Sequence, residues 1–266
     1  EDLFGIRVIG RTELIFDIFS KRAMTNEAKI QVELAQLKYI MPRLTGFGIA
    51  LSRLGGGIGT RGPGEKKLET DRRHIARRIH TLEKKLKDIE KHHRVITSNR
   101  NHKVVSLVGY TNAGKTTLLN SLAREDLKTE NRLFVTLDTT TRKIFLEQEK
   151  FVLVSDTVGF IRDLPHYLVA SFRTTLKEVK DSDLVLHVID LSESDFMKKI
   201  GVVNNVLAEM EVDLTRVISV FNKTDRVGPE KLENIRREYP DSLFISAKEK
   251  INLEKLKKYI LFRTDI

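Results

Sequence analysis

The stretch Gly109-Tyr110-Thr111-Asn112-Ala113-Gly114-Lys115-Thr116 fits the pattern G-x-x-x-x-G-K-[ST]. It lies between an apolar run at 104–108 and a helical pattern, which is the layout that a phosphate-binding loop requires. Small residues allow backbone N–H groups to surround phosphate groups, the lysine reaches the terminal phosphates, and the threonine hydroxyl can bind Mg²⁺. The sequence therefore predicts a nucleotide phosphate site whose contacts run from Gly109 to Thr117.

Three more polar loops each follow an apolar run. In Asp156-Thr157-Val158-Gly159, the aspartate can hold Mg²⁺ through water and the glycine amide can meet a γ-phosphate. In Asn222-Lys223-Thr224-Asp225, the last carboxylate can accept two hydrogen bonds from guanine that adenine cannot supply. Ser246-Ala247-Lys248 places a backbone amide near guanine O6. Because the carboxyl ends of parallel strands share one sheet edge, the four loops predict a single site for a guanine nucleotide, GTP or GDP, with Mg²⁺.

The second half of the chain alternates short apolar runs with helical patterns. The runs are rich in β-branched residues, as is typical of strands buried on both faces. They are Val104–Val108, Phe151–Val154, Leu184–Ile189, Val217–Phe221 and Leu243–Ile245. We therefore expect an α/β fold, a P-loop GTPase domain with a mostly parallel sheet, over residues 101–266.

The segment between Arg124 and Arg142 is the candidate first switch. It contains Phe134-Val135-Thr136-Leu137-Asp138-Thr139-Thr140-Thr141, and one of its hydroxyls should complete the Mg²⁺ coordination when GTP is bound. Spacing alone does not choose between Thr136, Thr139, Thr140 and Thr141.

The residue after Gly159 is Phe160, where Ras-like GTPases place a glutamine that orients the attacking water. A phenylalanine cannot do this. We therefore expect slow intrinsic hydrolysis, with Lys115 and Gly159 among the catalytic residues and the water positioned by another group or by a partner.

Residues 1–100 are predicted to form a separate amino-terminal domain. Ile6–Ile9 and Glu13–Asp17 are predicted as strands, and Asn26 as the cap of a helix. Two apolar seams at alternating spacings of 4 and 3 flank a glycine-rich loop at 45–64, which predicts an antiparallel helical hairpin; the alternative is two helices that pack separately on a core. The seams are Ile30, Leu34, Leu37, Met41 and Leu44, then Ile75, Ile79, Leu82, Leu86, Ile89 and Ile96 in a helix beginning near Glu69.

The basic charge is concentrated in this hairpin. Residues 43–103 hold 16 Lys and Arg against 6 Asp and Glu, an excess equal to the net charge of +10 of the whole chain. Such a block favours a polyanionic partner, most often nucleic acid, over a merely solvated helix face. The absence of cysteine fits a reducing compartment, and no run approaches the roughly 20 apolar residues of a membrane span. We expect a cytoplasmic monomer.

Taken together, the motifs resemble those of the HflX GTPases, from about Val8 to the end of the chain. The matching segments span the glycine-rich loop, the start of the second long helix and the nucleotide loops. They are Gly56–Glu65, Leu68–Arg73, Gly109–Lys115, Phe134–Asp138, Asp156–Ile161 and Leu164–His166, with Arg11–Arg22 and Gln31–Leu37 upstream. One departure is Asp138-Thr139, where the family usually has Asp-Pro.

The resemblance implies that Phe134–Asp138 binds nucleotide and that Thr136 is a catalytic magnesium ligand beside Thr116 and Asp156. It further implies binding to the large ribosomal subunit and its RNA and splitting of stalled ribosomes under stress. The candidate RNA contacts are Arg61, Arg72, Arg73, Arg77 and Arg78. Two other classes stay open: an RNA-modification GTPase, and a regulator of low turnover that binds RNA or the surface of a membrane.

Overall fold

A computed structural model of the 266-residue chain describes residues 5–6, 8–44, 63–98, 102–123, 139–147, 149–161, 168 and 173–265. These residues form two compact units, one made mainly of those up to Ser98 and the other of 102–161 and 175–265. The segments 45–62 and 124–138, and with them Arg61 and Phe134–Asp138, lie outside the described residues. In the described part of the chain, no helix is long and apolar enough to cross a bilayer.

The first unit contains three helices, α1 (Arg11–Arg22), α2 (Asn26–Ile40) and α3 (Pro63–Ser98). The strand prediction over Glu13–Asp17 was wrong, because α1 covers it. Phe19 is buried one turn after Ile15 and Phe16, so the apolar residues follow a helical period that the short run 13–17 concealed. Val8 and Ile9, at the end of the predicted strand Ile6–Ile9, have no regular structure.

The boundaries of the next two helices also differ from the expectation. Thr25, not Asn26, caps α2, because its hydroxyl accepts a hydrogen bond of 3.1 Å from the N–H of Ala28. The third helix begins at Pro63, six residues before Glu69, since proline is tolerated in a first helical turn, where its missing N–H would have no partner.

The apolar seams of α2 and α3 pack against each other, as the spacing predicted. Ile30 and Leu34 of α2 form a buried cluster with Leu82 and Leu86 of α3. Two ion pairs border this cluster. Arg78 donates two hydrogen bonds of 2.7 and 2.8 Å to Glu33, and Lys38 lies 2.8 Å from Glu83.

The second unit is a six-stranded sheet in the order β2-β3-β1-β4-β5-β6. All neighbouring strands are parallel except β2 and β3. The strands are β1 (Val104–Gly109), β2 (Thr140–Glu147), β3 (Lys150–Asp156), β4 (Leu184–Asp190), β5 (Val217–Asn222) and β6 (Leu243–Phe244). The helices are α4 (Lys115–Ala123), α5 (Arg173–Lys180), α6 (Phe196–Glu209), α7 (Pro229–Glu238) and α8 (Leu253–Thr264).

The sheet agrees with the predicted α/β class and adds one strand, β2, that the sequence reasoning missed. Alternate residues of β1 and β4, such as Leu107 and Leu186, point into the main core under α4 and α8. A second cluster around Phe221 packs the opposite face with α6 and α7. The parallel strands therefore direct their carboxyl ends, and the loops that follow them, to one edge.

Replacing Leu82 by alanine tests the packing of α2 on α3. Leu82 is almost fully buried, at 1% exposure, so the change should lower the free energy of unfolding of this unit by about 2–5 kcal/mol. Urea denaturation followed by circular dichroism would measure it. Lys84→Ala, on the exposed side of the same helix, should cost less than about 0.5 kcal/mol. Equal losses for the two variants would contradict this packing.

Candidate nucleotide-binding site

The predicted phosphate loop runs from the end of β1 to the start of α4. Its backbone depends on Gly114, which has φ of +93° and lies against Asn222: a Cβ at this position would lie 2.3 Å from the Asn222 side-chain nitrogen. Asn112, two residues earlier, has φ of +64°, a left-handed conformation that asparagine tolerates better than most residues. The loop therefore keeps the tight, amide-rich shape that phosphate binding requires.

The side chain of Lys115 folds back over this loop. Its ammonium donates hydrogen bonds of 3.1 Å to the carbonyls of Gly109 and Tyr110. Burial lowers the pKa of Lys115 from 10.5 to about 8, against the opposing effect of the nearby Asp156 carboxylate. A phosphate group beside this ammonium would favour its charged form.

Gly159 lies directly beside the same ammonium. A Cβ at Gly159 would lie 3.0 Å from the Lys115 ammonium nitrogen and 2.9 Å from Thr111, so a larger residue would crowd the space for the terminal phosphate. Thr157 fixes the loop before it, because its hydroxyl donates a 2.7 Å hydrogen bond to the carbonyl of Leu107 on β1. The second predicted loop thus lies alongside the first.

Thr116 and Asp156 form the candidate metal centre. The Thr116 hydroxyl donates a 2.6 Å hydrogen bond to the Asp156 carboxylate, which is fully buried at the end of β3. A hydroxyl and a carboxylate are hard oxygen ligands of the kind that Mg²⁺ prefers, and a divalent cation would offset the cost of burying this charge. These two residues therefore fit the predicted magnesium site.

Phe160 is tied to the phosphate loop by its backbone. Its N–H donates to the Gly109 carbonyl at 3.1 Å, and its carbonyl accepts from the Thr111 N–H at 2.8 Å. The ring is buried. The position at which Ras-like GTPases have a glutamine is therefore occupied by a packing residue without a polar group.

Asn222 joins three of the predicted loops. Its side-chain amide donates a 2.9 Å hydrogen bond to the carbonyl of Ala113 and accepts one of 2.9 Å from the N–H of Ala247. The carbonyl of Ala247 accepts a further 2.7 Å bond from Ser121 of α4. Since Asn222 is buried, these bonds fix its own loop, Asn222–Asp225, which we call the guanine loop, and the Ser246–Lys248 loop against the phosphate loop.

The groups predicted to read the base lie at the exposed rim. Asp225 is exposed within a short 3₁₀ turn, Thr224–Arg226, and the Thr224 N–H is held by the Ile245 carbonyl at 3.2 Å. Lys248 is also exposed, whereas Ser246 and Ala247 are buried. The Asp225 carboxylate is therefore open to solvent and accessible to the guanine base of a nucleotide.

Two of the four threonines left open for magnesium are strand residues. Thr140 and Thr141 belong to β2, where Thr141 shares a 2.6 Å hydrogen bond with the hydroxyl of Ser155. Thr139 immediately precedes the strand, and Thr136 lies outside the described residues. The Thr141 hydroxyl is thus engaged within the sheet.

Two polar residues of β4, Asp190 and His187, face this site and were missed in the sequence. Asp190 lies 2.6 Å from the ammonium of Lys223, which also donates a 2.8 Å hydrogen bond to the Asn112 carbonyl. His187 is buried, and burial together with the nearby Lys115 charge lowers its pKa to about 4, so it is neutral at pH 7. In the sequence, the run Leu184–Ile189 predicted only a buried strand. No motif identified His187, or Asp190 after the run, as a residue of the site.

The phosphate loop between a parallel strand and a helix, the Thr116–Asp156 pair and the loops joined by Asn222 define a P-loop GTPase fold. Residues 104–223 match the family described as 50S ribosome-binding GTPase, and residues 22–100 match the GTP-binding GTPase middle region.

Several curated proteins called GTPase HflX are similar to the chain. That of Caldanaerobacter subterraneus subsp. tengcongensis is 52% identical over 259 residues, which cover 96% of this chain and 59% of the relative. That of Flavobacterium psychrophilum is 44% identical over 281 residues, covering 97% and 68%. The chain belongs to the HflX family of GTPases, and it spans about three fifths of the length of the first of these relatives.

A solved structure is similar in fold to this chain over nearly its whole length. The crystal structure of a GTP-binding protein from Sulfolobus solfataricus in complex with GDP has a TM-score of 0.60 and 28% sequence identity, and the match covers 99% of this chain and 74% of that one.

The lowered pKa of Lys115 predicts a pH-dependent stability. Because this pKa is about 8 in the folded chain and 10.5 when unperturbed, the folded state binds fewer protons between these values, and stability rises with pH across that window. Relative to Lys115→Met, the free energy of unfolding of the wild type should rise by about 2 kcal/mol between pH of about 7.5 and 9.5. Urea denaturation of both proteins without nucleotide would measure this. A difference independent of pH would contradict the buried position of the ammonium.

Proposed function

We propose that the chain binds GTP with Mg²⁺ and hydrolyses it to GDP and phosphate. The observation that carries this proposal is the Asn222 amide, which joins a phosphate loop to two loops suited to guanine. The family name of the relatives and the GDP bound by the Sulfolobus solfataricus protein support it.

We assign the roles of the site residues from their positions and, for Thr136, from the family resemblance. The Lys115 ammonium and the loop amides bind the phosphates, and the Gly159 amide orients the terminal one. Thr116 and Asp156 would hold Mg²⁺, with Thr136 as a further ligand by family resemblance. When bound, the ion neutralises charge that develops on the phosphate oxygens. Asp225 accepts the two guanine hydrogen bonds.

The buried ring of Phe160 favours slow turnover in the isolated chain. A phenylalanine ring has no polar group with which to orient the attacking water. This observation also supports the second candidate function, an RNA-binding or RNA-modification GTPase of low turnover. Measuring GTP turnover with and without purified large ribosomal subunits separates the two, because only a ribosome-dependent enzyme is stimulated by the subunits.

Asp225→Asn tests the base contact. The variant loses a charged acceptor for two guanine hydrogen bonds, each worth about 1.5–3 kcal/mol, so GDP affinity should fall about 100-fold or more. ADP affinity should change little, and the preference for guanine should shrink. Titration calorimetry with both nucleotides would measure it, with the exposed Asp241→Asn as the control. An unchanged preference for GDP over ADP would contradict the proposed function.

We further propose that α3 binds RNA of the large ribosomal subunit. The description of the matching family as 50S ribosome-binding supports the partner, and the concentration of positive charge in residues 43–103 supports the location. Phosphate neutralisation, not base reading, would supply the affinity. By family resemblance, the outcome of binding is the splitting of stalled ribosomes.

We choose the proposed RNA-binding surface of α3 from the ion pairs and exposure of its side chains. Arg78 is ion-paired with Glu33 of α2 and thus holds the two helices together, so we place it outside the contact set. The side of α3 opposite the apolar seam carries exposed basic side chains at spacings of 4, 3, 4, 3 and 4. We call them the basic stripe: Arg73, Arg77, His80, Lys84, Lys87 and Lys91. At 1.5 Å per residue the stripe is about 27 Å long, enough to follow several phosphates of one strand.

Neutralising the basic stripe tests this contact. A variant with Arg77, Lys84, Lys87 and Lys91 changed to glutamine should bind purified large subunits about 10- to 100-fold more weakly at physiological salt. The slope of log affinity against log salt should also become shallower by roughly 3. Co-sedimentation with a GTP analogue at several salt concentrations measures both quantities.

A matched control changes four exposed lysines of the second unit to glutamine. These are Lys198, Lys231, Lys255 and Lys258. If the control set reduces binding and the salt slope as much as the stripe variant does, the assignment of RNA contact to this face of α3 is wrong.

A further inference from the structure

Asp190 lies at the carboxyl end of β4, where no nucleotide contact is assigned to it. Its carboxylate is buried, and both oxygens are used. One oxygen accepts hydrogen bonds from the backbone N–H of Ser192 at 3.0 Å and from its hydroxyl at 2.6 Å. These two bonds fix the orientation of the carboxylate and direct the other oxygen towards Lys223, 2.6 Å away.

Lys223 connects the guanine loop with the phosphate loop. Its ammonium, held by Asp190, also donates a 2.8 Å hydrogen bond to the carbonyl of Asn112. Lys223 and Asn112 each have φ of +64°, a conformation that residues other than glycine rarely adopt. One side chain therefore joins two loops at positions of left-handed backbone. This conformation is less favourable for Lys223 than for an asparagine, and such a position persists only when its surroundings hold it.

A second lysine places further charge around the same carboxylate. Lys199 of α6 pairs with Glu193 and Asp195, and its ammonium lies 4.9 Å from the centre of the Tyr110 ring. Burial lowers the pKa of Lys199, while the negative charge of Asp190 opposes this effect. The negative charge of Asp190 thus offsets the positive charges of Lys223 and Lys199 close to Tyr110, the second residue of the phosphate loop.

We propose that Asp190 is a positioning residue that holds Lys223 as a clamp between the guanine loop and the phosphate loop, and that this clamp slows nucleotide release. The inference rests on the proposed binding of guanine nucleotides. A nucleotide whose phosphates lie in one loop and whose base lies in the other makes both sets of contacts only while the two loops keep their spacing. Loosening the clamp therefore weakens retention without removing any group that touches the ligand's phosphates.

The test is a double-mutant cycle on the release of N-methylanthraniloyl-GDP, followed by stopped-flow fluorescence. Asp190→Asn keeps an oxygen for Ser192 and removes the charge facing Lys223, and Lys223→Met removes the ammonium. Each single change should raise the dissociation rate constant about 10- to 100-fold. The double variant should be no faster than the faster single variant within about threefold, because both changes break the same clamp.

Asp213→Asn is the matched control. Asp213 makes the same kind of turn, accepting bonds of 3.0 and 2.7 Å from the N–H and hydroxyl of Thr215, but it is exposed and precedes the amino end of β5. The Asp213→Asn variant should release the labelled GDP at the rate of the wild type.

Ser192→Ala provides a second probe if Asp190→Asn does not fold, because it loosens the Asp190 carboxylate and keeps its charge. It should speed release several-fold, and this effect should vanish in the Lys223→Met background.

Two results would overturn the role of Asp190 and leave the proposed function intact. One is a release rate for Asp190→Asn within about twofold of a wild type that retains GDP. The other is a double variant whose acceleration equals the product of the two single effects, as expected when residues act independently. A wild type that does not retain the labelled GDP would overturn the proposed function together with this inference.

Discussion

The buried amide of Asn222 is the interaction on which the geometry of the nucleotide site depends. A parallel sheet brings the loops after β1, β5 and β6 to one edge, but it does not fix their separation. Asn222 does so, because one side chain satisfies the carbonyl of Ala113 and the N–H of Ala247 at 2.9 Å each. Moving either loop away leaves a buried polar group without a partner, at a cost of about 1–3 kcal/mol. The phosphate and base regions are thereby held in register.

The sequence predicted five of the six strands, and the exception has a physical cause. The five appear as nearly continuous apolar runs, and most of their residues are buried. The sixth, β2, buries only alternate residues, Ile144 and Leu146, and leaves Phe145 exposed, so it shows no continuous apolar run. The first helix was missed for a related reason. Its buried residues Ile15 and Phe16 are adjacent, and the third, Phe19 in the next turn, lies beyond the run 13–17 and shows the helical period.

Within the site, motifs identified the loops but not the residues that support them. Asp190 is marked by no motif. It meets the guanine loop because the register of β4 on β5 pairs Asp190 with Asn222, the neighbour of Lys223. The spacing of residues likewise could not show that Arg78 differs in role from the neighbouring arginines. Its partner in the ion pair, Glu33, is 45 residues away in the chain. Such contacts between residues distant in sequence require the fold.

Buried carboxylates hold the lysines of the site in position before a ligand binds. Each of two lysines that serve it is matched by a buried carboxylate, Asp156 near Lys115 and Asp190 beside Lys223. Buried pairs of this kind add little stability, since desolvation offsets their attraction, but removing one partner leaves an uncompensated charge. The pairs therefore constrain position more than they stabilise the fold. A phosphate group, which brings negative charge to Lys115, then meets an ammonium that is already buried and held by two backbone carbonyls.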